Sequence, residues 1–131
     1  MAARAVRVES GQASTEAVLI VPVLLLLIMF VIQFGLWYHA EHVVQAAAQE
    51  GVRSARLEGG SAEMGRRRAE RFLARAGSRV VSQPVVRSSR DSSSATVAVE
   101  GHAVAVVPGL RLPVRANAVS PVEEFRAEAA P

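Results

Sequence analysis

A glycine and a carboxylate five residues apart stand at the edge of a long apolar run: Gly11-Gln12-Ala13-Ser14-Thr15-Glu16, then Ala17 onward. The chemistry these residues suit is proteolysis followed by charge pairing. A glycine before a scissile bond lets a membrane peptidase bring its catalytic groups close to the backbone, with no side chain in the way. A cut after Gly11 frees the amine of Gln12. In a helical assembly that amine can pair with Glu16 of a neighbouring subunit. Opposite charges about 4 Å apart gain on the order of 4 kcal/mol at an effective dielectric near 20. Such a gain would offset the cost of a carboxylate at a membrane edge. The plainer alternative is a solvated Glu16 in the first turn of a helix, where it suits the macrodipole.

The other reactive residue types form no catalytic pattern. His39 and His42 lie three apart on a helix, with Glu41 and Glu50 near in sequence. They lack the i, i+4 spacing of a helical zinc site and a placed third ligand, so no metal is expected. His102 falls in a strand as a surface residue. Arg66, Arg67, Arg68, Arg71 and Arg75 make a basic face on a second helix, with Glu63 and Glu70 at pairing distances among them. That face is either a solvated surface or a docking site for an acidic partner or anionic lipid. No nucleophile–base pair, phosphate-cradling glycine loop or paired-carboxylate motif is present. The chain reads as a non-enzyme without cofactors that is itself a peptidase substrate.

What must position Gly11 and Glu16 is a membrane helix. Ala17–Ile32 is sixteen residues without a polar side chain, and beyond Gln33 the apolar character resumes through Phe34, Leu36, Trp37 and Tyr38. As a helix, Ala17–Tyr38 spans about 33 Å, enough for a hydrocarbon core of about 30 Å. Gln33 is a tolerable interruption near one end, and Trp37 and Tyr38 sit where an aromatic belt meets the headgroups. Pro22 either kinks the helix or is simply tolerated. Arg4 and Arg7 precede the run, whereas the first arginine behind it is Arg53. That asymmetry favours a cytoplasmic N-terminus and an exported C-terminal part. A secretory signal would be cut after its apolar run; here the expected cut precedes it, so the helix stays in the mature protein.

Behind the membrane segment, Ala40, Val43, Val44, Ala47, Gly51, Val52 and Ala55 continue a helical stripe of small residues that a partner helix can approach closely. Gly59-Gly60 breaks it. Ser61 predicts the N-cap of a second helix, with Gly65, Ala69, Phe72, Leu73 and Ala76 on its apolar stripe and Gly77 as C-cap. Val80–Val86 predicts a strand that Pro84 confines to an edge or a bulge. Ser88–Ser94 predicts a turn or mobile loop, Ala95–Val107 contains a strand, Pro108-Gly109 turns, and Leu112–Val119 alternates as another strand. The expected divisions are a leader (1–11), a transmembrane helix (12–38), a helical extension with a second helix (39–78), a small antiparallel β-region (79–120) and a flexible tail (121–131). The fold class is α+β, anchored in a membrane.

The 131 residues carry a formal charge of +3 with arginine as the sole basic type, and no cysteine. Disulfides and cysteine-ligated zinc are excluded. The small, balanced charge is no argument for nucleic acid, and none is expected as a partner. A region of about ninety residues outside the membrane has a marginal core and often leans on a partner.

The Gly11…Glu16 junction resembles a class III prepilin signal. The longer string through Gly51-Val52-Arg53, with Gln33-Phe34-Gly35-Leu36 inside it, resembles the TadE family of minor, pilin-like proteins of the tight-adherence (Flp) pilus machinery. The resemblance covers about residues 11–56. It implies a prepilin peptidase as processing partner, other pilins or pseudopilins and the pilus assembly platform as further partners, and a single pass through the cytoplasmic membrane. Carried over, Gly11 precedes the cut, Gln12 is the new N-terminus and Glu16 the fifth mature residue. Ala17 stands where a major Flp pilin typically has tyrosine, which argues for a minor component. Two other readings stay open: a signal-anchored protein whose exported domain binds an envelope partner, and a membrane-tethered cytoplasmic binder that uses the Arg66–Arg75 face.

Overall fold

The computed structural model describes the backbone of residues 2–123 and the side chains from Gly11 onward. The Arg4 and Arg7 side chains of the expected leader, and residues 124–131 of the expected tail, lie outside that range. Helix α1 (Ala2–Arg56) runs unbroken through Pro22 for 55 residues. Gly59 takes a left-handed φ of +75° and the chain turns back, with the Gly60 amide donating to Leu57 O at 2.8 Å. Ser61 caps α2 (Ala62–Phe72) as its sequence position predicts: its Oγ accepts from the Met64 amide at 3.1 Å. One π-helical turn, Leu73–Gly77, follows.

Three antiparallel strands complete the chain in the order β1 (Val81–Arg90), β2 (Ser94–Ala103) and β3 (Pro113–Pro121). Ala95, Val97, Val99 and Ala103 of β2 point inward with Val114 and Ala118 of β3. They meet Ala40, Val43, Val44, Ala47, Ala48, Val52 and Ala55 of α1 in one core. That alternation is the period of two expected for a half-buried sheet. Pro84 does sit on an edge strand with a register irregularity between Ser82 and Val85, and Gln83 there adopts φ 51°.

Glycine sets the distance between the helices. A Cβ on Gly51 would lie 2.9 Å from Gly65 O, and one on Gly65 would lie 2.8 Å from the Ala55 Cβ. No side chain larger than hydrogen fits that crossing without movement.

Four details depart from the sequence reading. The small-residue stripe of α1 is covered by this chain's own α2 and sheet, so its 40–55 stretch is not free for a partner helix. Gly77 is not a left-handed C-cap; Ser78 ends the turn, and Gly77 is bare because a Cβ would meet Val43 Cγ1 at 2.9 Å. Ser88, Ser89 and Arg90 belong to β1, because they pair with Val97, Thr96 and Ala95. Only Asp91–Ser93 form the turn, held by Asp91 Oδ1, which accepts from the Ser93 and Ser94 amides at 2.7 Å each. The strand expected within Ala95–Val107 is β2, Ser94–Ala103, whereas Pro121 of the expected tail is the last residue of β3.

Candidate functional site

Gly11, Gln12 and Glu16 lie exposed on α1, within its helical path. Beyond its chain neighbours and its own helix backbone, no atom among the described residues lies within 4 Å of a Cβ built on Gly11, so that face of the helix is open. The Gly11 carbonyl accepts from Thr15 Oγ1 at 3.0 Å. Attack on that carbonyl requires the turn to open, and glycine lowers the cost by about 1 kcal/mol relative to alanine through its poor helix propensity.

From Val18 onward the helix bares its side chains: Val18 is 70% exposed, Leu24 53% and Val31 73%. A helix left so apolar on every side calls for a non-aqueous surrounding. Among the described residues this is the one helix long and apolar enough to cross a membrane. Pro22 lies inside that segment.

The polar and aromatic residues at its far end have partners that the sequence does not announce. Gln33 is fully buried. Its Nε2 donates to Val104 O at 3.1 Å, and its Oε1 accepts from the Val106 and Val107 amides at 2.7 and 3.2 Å. Trp37 Nε1 donates to Pro113 O at 3.2 Å, and its ring is partly buried against the core. Tyr38 stays 64% exposed and meets His42 edge-to-face, ring centroids 4.5 Å apart. The C-terminal region therefore reaches along α1 to Gln33, the residue that ends the apolar run.

Residues 11–53 match the family of TadE-like proteins. The TadE-like segment thus starts at Gly11, includes Glu16 and the whole apolar run, and stops inside α1, before α2 and the sheet. This agrees with the resemblance read from the sequence over the same stretch of α1. Neither a curated protein nor a solved structure gave a match.

Outside the TadE-like segment, the basic face of α2 is largely neutralised. Arg66 bonds Glu63 and, at 2.7 Å, Glu70; Arg67 donates to Glu63 at 3.0 Å; Arg68 reaches Glu50 of the TadE-like segment at 3.4 Å. The Arg66 and Arg67 guanidiniums hold the Glu63 carboxyl below its usual range. Arg71 and Arg75 have no ion pair among the described residues. Of the residues missed by sequence reasoning, Arg90 is the clearest. From the end of β1 its Nη1 donates to Ala55 O and Leu57 O at 2.9 Å each and to Gly60 O, closing the C-terminus of α1. A guanidinium there satisfies carbonyls that the helix cannot and opposes its dipole. His39 and His42 gather no metal-binding group of three among the described residues.

Proposed function

We propose that this protein is a minor pilin or pseudopilin of a Flp-type pilus, cut after Gly11 by a prepilin peptidase and held in the cytoplasmic membrane by α1. The observation that carries the proposal is the TadE-like match over residues 11–53, which opens at the glycine before the expected cut and spans Glu16. The N-terminus is cytoplasmic and the α2–sheet region exported, in line with Arg4 and Arg7 ahead of the run. The new amine of Gln12 pairs with Glu16 of a neighbouring subunit. Packing against other pilins falls to the bare stretch of α1 before Gln33, since the stripe from Ala40 to Ala55 is already covered.

The test is Glu16→Ala in the native host. The expected result is normal membrane insertion with impaired pilus assembly. Unchanged pilus output would exclude the charge pairing. A reporter fused after Pro131 that is active only in the cytoplasm would reverse the topology and leave the Arg71–Arg75 side of α2 as a cytoplasmic binding face.

A further inference from the structure

We propose that the loop between β2 and β3, residues 104–112, is a second membrane contact: its apolar tip rests in the headgroup–acyl boundary of the bilayer that α1 crosses. The proposal rests on α1 spanning a membrane and is independent of prepilin processing.

The span length comes first. The uninterrupted run Ala17–Ile32 reaches only about 24 Å as a helix, some 6 Å short of a typical hydrocarbon core. With Glu16 at one edge, the far edge falls about four residues past Ile32, near Trp37. Gln33 then lies below the interface, where a free amide is costly because nothing there can hydrogen-bond it. In this structure it is not free: the loop backbone at Val104, Val106 and Val107 satisfies it. The loop that does so is carried to the same depth.

The loop's chemistry fits that depth. Val104-Ala105-Val106-Val107-Pro108-Gly109-Leu110 has no polar side chain. Val106 is 36% exposed, Pro108 and Gly109 are exposed, and Gly109 takes φ +77° in the turn. The loop closes on itself, with Leu110 N donating to Val107 O at 3.2 Å and Ala103 N to Leu112 O at 2.9 Å. Such internal satisfaction is what a backbone needs near lipid. Along the helix near this level, Phe34 and Tyr38 are also bare, 56% and 64% exposed, with His39 exposed beside Tyr38. Arg111 follows the tip and bonds Gln83 Oε1 at 3.0 Å, placing a cation where headgroup phosphates would lie.

Since the chain has no cysteine, single-cysteine variants of the full-length protein take a spin label at one position only. Val106→Cys and Pro108→Cys would be labelled, with Leu24→Cys marking the span and Ser92→Cys marking the far turn of the sheet. Each is reconstituted in vesicles of phosphatidylcholine and phosphatidylglycerol and measured by collision with oxygen and with a water-soluble nickel chelate. Labels at 106 and 108 are expected to be several-fold less accessible to the chelate than the label at 92, and shallower than the label at 24. A label at 24 shielded while those at 106 and 108 match position 92 would overturn the loop contact alone. An unshielded label at 24 would overturn the span and the loop contact together. Shielding at 106 and 108 that disappears when protein is diluted in lipid would assign the tip to a second copy of the chain and overturn lipid as its occupant.

Discussion

Replacing Gln33 with leucine tests how the C-terminal region is tied to the membrane helix. Leucine keeps a similar volume but removes one donor and two acceptor contacts, made at 3.1, 2.7 and 3.2 Å. A net 0.5–1.5 kcal/mol per hydrogen bond gives roughly 2–4 kcal/mol for the set. Because Gln33 itself is fully buried, no water stands ready to replace it. The loss falls on the loop and not on the whole fold: the core of α1, β2 and β3 is unchanged, and Trp37 still bonds Pro113 O. The assay is amide hydrogen exchange of the full chain in micelles or nanodiscs. With tenfold in rate for each 1.4 kcal/mol, the Val106 and Val107 amides should exchange roughly 30- to 1000-fold faster, while those of Val97 and Val99 stay as they were. Unchanged exchange at Val106 and Val107 in Gln33→Leu would refute the claim that Gln33 holds the loop.

Two further perturbations probe the α1–α2 crossing. Gly65→Val, which must push on Ala55, the Gly51 carbonyl and Ser88, should cost about 2–3 kcal/mol in chemical denaturation, whereas Gly35→Ala, with open space around it, should be neutral or mildly stabilising. Glu63 has its pKa depressed by Arg66 first and Arg67 next. Its contribution is therefore complete above its ordinary value of 4.5 and fades as pH falls through the lower folded value. Glu63→Gln should flatten the part of the acid-stability curve below pH 4.5, and an unaltered curve would show that these exposed pairs carry no weight.

Local signals were readable in the sequence wherever the cause is local. Ser61 caps α2 because its oxygen reaches an amide three residues on, and Gly109 turns because its φ is left-handed. Strands β2 and β3 follow from alternation, and the position of Pro84 on an irregular edge follows from its missing amide. Long-range partners were not readable. Gln33 looks like a lone polar residue in a membrane helix until residues more than seventy positions away are seen to bond it. Arg90 sits in a serine-rich stretch that reads as a loop, yet it pairs with Ala95 and closes the end of α1. The small-residue stripe of α1 was legible as a packing face; that its partner is the same chain was not, because periodicity reports a buried side and never what buries it. The Gly11–Glu16 junction is the reverse case, since its residues were legible from spacing while the function proposed for it involves proteins outside this chain.

The most direct test of the proposed function is the N-terminus of the protein extracted from the membranes of its own host, read by intact mass or terminal sequencing. A chain that starts at Gln12 is the expected result and establishes prepilin-type processing at Gly11. A chain that still begins at Met1 or Ala2, with an active prepilin peptidase present, would contradict it and make α1 an ordinary signal anchor.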